Sequence, residues 1–180
     1  MKKNILAIVG SASKQSSNLK LVQYLSLKMQ NDFSVEIFDA LSTLPHFNPE
    51  QTDTNTPNEV IDIRKAISLA DCIIICTPEY IFSLPSGLKN LIEWCVSTTV
   101  FSKKPIGLIT ASAQGEKCHE ELKLIMKTVE TIFTEETTLL IQGVKGKIDA
   151  TGNIRTEELK MDLAVFVKHF NALVNRSIIN

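Results

Sequence analysis

Asn4-Ile5-Leu6-Ala7-Ile8-Val9, followed by Gly10-Ser11-Ala12-Ser13-Lys14-Gln15-Ser16-Ser17-Asn18, is the stretch that decides the fold. Its first part is a nearly continuous apolar run, as expected of a parallel strand covered on both faces. The part that follows is small and polar. It leads into a segment where Leu21/Val22, Leu25 and Met29 recur at helical spacing. Strand, polar turn and helix in that order predict the opening of an α/β sheet, and the turn stands where such a sheet binds anions.

The same alternation continues outward from this stretch. Further strands are predicted at 34–39, 71–77, 105–110 and 137–141. Between them lie apolar stripes of helical period: Val60, Ile63, Ile67 and Ala70, then Leu122, Met126, Val129 and Phe133. The segment 155–175, with Leu159, Leu163, Phe166, Phe170 and Leu173, reads as a closing helix packed on the sheet. Segment 41–58 holds three prolines among Asn, Asp and Thr residues and reads as a long loop. The expected architecture is α/β: a three-layer sandwich with a five-stranded parallel sheet of order 2-1-3-4-5 and helices on both faces. With 180 residues and no linker or repeat, residues 1–180 read as one domain.

Composition narrows the function classes. The chain is 44% apolar and 22% charged, ordinary values for a folded domain. A formal net charge of -1, from 19 basic and 20 acidic residues spread along the chain, gives no basic stripe for nucleic acid. No apolar run approaches the roughly 20 residues of a membrane span, and the run after Met1-Lys2-Lys3 is too short for a secretion signal. Cys72, Cys76, Cys95 and Cys118 show neither CxxC pairs nor zinc spacing with histidines, so no metal site is expected. Reduced thiols and a cytoplasmic location are the simpler reading. Cys118 near a helix start invites a reactive-thiol reading, but no basic or catalytic partner beyond Lys117 can be named, so an unreactive residue is expected.

The loop after the first strand offers four serines and an asparagine, Ser11, Ser13, Ser16, Ser17 and Asn18, at a helix start. Gly10 is its only glycine, so it is not a GxGxxG dinucleotide turn, and it lacks the Gly-Lys-Ser/Thr of a Walker A loop. Helix capping takes one such residue. Five in eight positions suit a monophosphate held by hydroxyls, backbone N–H groups and the helix dipole.

After the third strand stands Thr77-Pro78-Glu79-Tyr80-Ile81-Phe82-Ser83-Leu84-Pro85-Ser86-Gly87-Leu88-Lys89-Asn90. In the expected strand order, the first and third strands flank the topological switch point, so both loops border one crevice. Together they resemble the NADPH-dependent FMN reductase family of flavodoxin-like quinone, azo and flavin reductases. Gly10, Ser11, Ser16 and Asn18 meet its Gly-Ser-x-x-x-x-Ser-x-Asn pattern. Pro78, Glu79, Tyr80, Ser83, Pro85, Leu88, Lys89 and Asn90 meet its Pro-Glu-Tyr-Asn-x-Ser-x-Pro-x-x-Leu-Lys-Asn pattern.

The resemblance implies a flavodoxin-like domain whose Ser11, Ser16 and Asn18 hold the FMN phosphate, with Ser13 and Ser17 beside them. It implies that Pro78, Glu79, Tyr80 and Ile81 border the flavin ring, and that electrons pass from NADPH, or NADH, through FMN to a small acceptor such as a quinone, azo compound or free flavin. It also implies a homodimer or higher homo-oligomer. No protein acid or base is then required, since the flavin carries the chemistry. Ser112 and Gly115, after the fourth strand, close the flavin site from the other side on this reading; on another, Gly115 only permits a turn.

Ile81 stands where the family usually has Asn, and Phe82 where a small residue is common, which leaves acceptor choice open. Trp94 on a helix among Leu91, Ile92 and Val96 reads as packing, and His46 as a surface residue of the long loop. Two competing functions share the fold: an FMN-binding electron carrier without nicotinamide turnover, and a non-catalytic flavin-binding regulatory protein.

Overall fold

The computed structural model describes residues 2–13 and 15–176; Met1, Lys14 of the serine loop and residues 177–180 lie outside it. In chain order the elements are β1 (Lys3–Val9), α1 (Ser17–Met29), β2 (Phe33–Phe38), α2 (Asn58–Leu69), β3 (Cys72–Thr77), α3 (Ser86–Cys95) and β4 (Ile106–Ser112). They continue with α4 (Glu116–Thr128), β5 (Thr138–Gln142), the single turn α5 (Val144–Lys147) and α6 (Glu157–Arg176). All four strand pairings are parallel and the order is β2-β1-β3-β4-β5, the flavodoxin-like sheet expected from the sequence.

Alternation along the strands divides the core in two. Ile5, Ala7 and Val9 of β1, with Ile74 and Cys76 of β3, point to one face, where α1 and α6 bring Leu21, Leu25, Met29, Leu163, Phe166 and Phe170. Leu6 and Ile8, with Ile73 and Ile75, point to the other, where α2, α3 and α4 bring Ile63, Ile67, Leu88, Leu91, Trp94, Leu122 and Met126. Because the central strands are buried on both sides, they read as unbroken apolar runs in the sequence.

Two helical stripes end earlier than their apolar pattern suggests. Helix α4 stops at Thr128; the N–H of Val129 closes the last turn on Ile125, and Glu130, at φ 61, turns the chain away. Phe133 then packs on the same core from outside the helix. Likewise Ala70 is the extended residue that ends α2.

The loop 41–58 contains two short 3-10 turns, Leu41–Thr43 and Pro49–Gln51, and is fastened to the body. Asn90 accepts from the Phe47 N–H (2.7 Å) and donates to the Pro45 carbonyl (2.9 Å), which also receives the Trp94 indole N–H (2.8 Å). Trp94 is fully buried and meets Phe47 edge to face at 5.3 Å, so its role is packing. The guanidinium of Arg64 joins the Trp94 carbonyl to that of Thr52.

Candidate functional site

Parallel strands in this order bring the loops after β1, β3, β4 and β5 to one end of the sheet, since Val9 pairs with Cys76, Thr77 with Thr110, and Ser112 with Gln142. Between them opens a crevice of about 590 Å³, within the range of small-molecule sites. Ser11, Ser13, Ser16, Ser17, Asn18, Pro78, Glu79, Tyr80 and Ser112 line it together. Ile81 and Gly115 are not among its lining residues.

The serine loop is set by a close crossing of chains. Gly10 donates its N–H to the Cys76 carbonyl (2.8 Å), and a side chain there would place Cβ 2.3 Å from Thr77 Oγ1. No other residue fits without moving the loop. Ser16 is the N-cap of α1, its Oγ accepting from the Leu19 N–H at 3.0 Å. The capping and phosphate readings are compatible, because a hydroxyl that accepts one bond still has its own proton to donate. Ser11 Oγ accepts from the Ser13 N–H (3.2 Å) and lies 3.5 Å from the Tyr80 hydroxyl, which ties the first loop to the second.

Asn18 is more than a lining residue. Only 3% exposed, it donates to the Ala111 carbonyl (3.2 Å) and accepts from the Cys76 thiol (3.3 Å), joining α1 to β3 and β4 beneath the crevice. Above it, the backbone N–H groups at the start of α1 lack carbonyl partners within the helix and carry the positive end of its dipole.

Glu79 performs a task that its position in a motif does not reveal. Its carboxylate accepts from the N–H groups of Gly115 (3.2 Å) and Cys118 (3.0 Å), capping α4 from another loop. Gly115 itself sits at φ 94, the left-handed conformation in which a side chain is strained, and supplies the turn from the β4 loop into α4. Glu121 of α4 returns the link, accepting from Ser83 Oγ (2.8 Å) and the Leu84 N–H (3.0 Å). The loop after β3 is thereby held at both ends against one helix.

Cys118 has no reactive character. Fully buried, its thiol is pushed up to about 12, by burial first and then by the carboxylates of Glu79 and Glu121. Its neighbour His119 lies 3.0 Å from Thr110 Oγ1 through Nδ1 and has its pKa lowered, by burial first and then by Lys123. His46 is exposed on the long loop, outside the crevice.

The β5 loop was not anticipated from the sequence. Gly143, at φ 63, donates its N–H to Ala113 (3.1 Å), and Gly143, Val144 and Lys145 complete the crevice wall. Lys145 is the one cation among the described lining residues. A signal existed: a glycine two residues past the predicted strand 137–141, at the sheet end where the other loops converge.

Residues 3–145 match the family model described as NADPH-dependent FMN reductase. The chain belongs to this family.

As a member, the reductase is an oxidoreductase whose cofactors are FMN and NAD(P)H. It is 27% identical over 176 residues to a 2-hydroxy-1,4-benzoquinone reductase of Burkholderia sp, an alignment covering 94% of this chain and 95% of that one. It is 25% identical to the quinone reductase of Escherichia coli strain K12 over 160 residues, 85% of each. Among solved structures it superposes on FerB, a flavoenzyme NAD(P)H:(acceptor) oxidoreductase from Paracoccus denitrificans, with a TM-score of 0.86 and 25% identity, covering 97% of this chain and 98% of that one.

The reductase's own residues fit FMN. A phosphate needs several donors and positive potential, and the α1 start supplies backbone N–H groups, hydroxyls and the dipole, with Lys145 on the same crevice wall. A planar ring needs an apolar border with a few fixed polar groups, and buried Pro78 and Ala111, with the exposed ring of Tyr80, line the crevice alongside Ser112.

Proposed function

We propose that this reductase passes two electrons from NAD(P)H, through FMN held in the serine crevice, to a quinone or a free flavin. The observation that carries the reading is the meeting, in one crevice, of the Ser11–Asn18 loop at the start of α1 with the Pro78–Tyr80 segment pinned to α4. Names of the relatives support a quinone as acceptor.

In this reading Ser11, Ser13, Ser16, Ser17 and Asn18 hold the phosphate, and Pro78, Glu79, Tyr80 and Ser112 border the ring. Ser16 orients by capping α1 and donating its remaining proton; Asn18 keeps the cradle rigid by fixing α1 to β3 and β4. Glu79 acts through Gly115 and Cys118, fixing the β4 loop against the β3 loop so that the crevice keeps its width. Bound FMN supplies the two-electron relay, and the surrounding protein orients the reactants and excludes water. The nicotinamide leaves as NAD(P)+. The quinone, gaining two electrons and two protons, one arriving with the hydride and one from solvent, leaves as hydroquinone.

The reading extends to the assembly and its place: a homodimer working in the cytoplasm, where four buried thiols stay reduced. Light scattering on the flavin-loaded protein is expected to give twice the 20.0 kDa chain mass; a mass of one chain would remove the dimer.

The first test is the visible spectrum after loading with FMN and desalting, followed by NADPH without oxygen and then a quinone. Retained flavin bands that bleach and return on adding quinone are expected. Bands that stay unbleached would overturn the reading in favour of a carrier or regulatory protein, and failure to retain flavin would overturn the serine-loop assignment.

A further inference from the structure

The turn after Tyr80 is built from residues that fit it badly. Tyr80 and Ser83 exchange two backbone hydrogen bonds of 3.1 Å each, closing a two-residue turn on Ile81 and Phe82. Both central residues have positive φ, 50 for Ile81 and 59 for Phe82. Such a turn favours Asn and Gly, and a β-branched residue at positive φ is strained. The turn also leaves Ile81 94% and Phe82 68% exposed, so the strain is not offset by burial within the chain.

The tip is nonetheless held firmly. Ser83 and Leu84 are bonded to Glu121, Glu79 to Gly115 and Cys118, and Tyr80 stands next to Ser11. It is also continuous with the crevice. Glu79 belongs both to the crevice wall and to an adjoining depression of about 410 Å³ that Phe82 lines with Gln114 and Lys117.

We propose that Ile81 and Phe82 form an apolar lip that selects acceptors with an extended ring system, a fused-ring quinone over a single-ring one. This rests on the reading of the crevice as the FMN and quinone site. The size of the tip favours a small molecule: two side chains offer far less than the roughly 800 Å² per partner of a stable protein interface, but suit one edge of a fused-ring molecule. The strained turn keeps both side chains turned outward, where ring surface reaching beyond the crevice loses its water on contact with them.

The test compares wild type with the double variant Ile81→Asn, Phe82→Gly, which suits the turn, and with Phe82→Ala. Steady-state NADPH oxidation is measured with 2-methyl-1,4-naphthoquinone and with 1,4-benzoquinone, alongside flavin content and mass by light scattering. The ratio of kcat/KM for naphthoquinone over benzoquinone is expected to fall by about fivefold or more in the double variant, through KM for the larger quinone. A ratio within about twofold of wild type in both variants would overturn the lip. Loss of an assembly without a change in ratio would also overturn it, assigning the tip to a second copy of the chain. Wild type inactive with both quinones would remove the underlying reading, and the lip with it; an active wild type with an unmoved ratio removes the lip alone.

Discussion

Glu79 stands in a sequence motif beside the crevice, yet what its carboxylate does is cap a helix. Accepting two N–H groups at the start of α4 stabilises donors that otherwise have no partner, and a capping acceptor is worth about 1 kcal/mol. Glu79→Ala is therefore expected to lower unfolding stability by about 1–2 kcal/mol in urea titration, and Glu79→Gln by less, because its amide oxygen still accepts. Equal stability in all three proteins would show that the cap contributes nothing. A second effect belongs to His119, whose folded pKa lies below 6.5 because burial and Lys123 disfavour its charge. Between that lowered value and 6.5 the unfolded chain binds more protons than the folded one, so stability is lost as pH falls through this window. His119→Gln should flatten that part of the stability–pH curve relative to wild type; parallel curves would assign the slope to other groups.

At the scale of elements, what the sequence discloses depends on how local the cause is. Strands β1 and β3 are legible because burial on both faces makes them continuous apolar runs, and α1 because Leu21, Leu25 and Met29 mark one face. The serine loop is legible because its donors are adjacent in sequence. Glu79 as a cap is not, since its partners lie 36 and 39 residues away and only the fold joins them. Nor is Lys145, brought to the crevice by strand order. Ile81 is adjacent in sequence to the crevice-lining Tyr80, but a two-residue turn directs it outward. The junction of β1 with the serine loop yields its own prediction. A methyl group at Gly10 would meet Thr77 Oγ1 and Cβ at 2.3 and 2.5 Å, one residue before the crevice-lining Ser11 and Pro78. Gly10→Ala is expected to cost about 1–3 kcal/mol in chemical unfolding and to lower FMN retention on desalting, by displacing the loop. Retention equal to wild type would mean that the loop's exact position is unimportant to the flavin.

For the whole molecule, binding at the end of the sheet must report on the stability of the entire domain. The loops that form the crevice come from four of the five strands, and their hydrogen bonds, such as Asn18 to Ala111 and Gly143 to Ala113, exist only in the folded chain. A ligand that needs these loops together binds the native state alone. At a free concentration of about one hundred times Kd it adds about 2.7 kcal/mol of stability. For a chain of this length that corresponds to a rise in Tm of roughly 5–10 °C. The increase should depend on the phosphate, because the serine loop and the N–H groups of α1 are suited to an anion, whereas the apolar border is not. Thermal unfolding followed with FMN and with riboflavin at equal concentration separates the two contributions. FMN is expected to raise Tm by that amount, riboflavin by much less, and added salt to reduce the difference, since part of it comes from Lys145 and the helix dipole. Equal shifts from the two flavins would place the binding energy in the ring and leave the serine loop as a helix cap and no more.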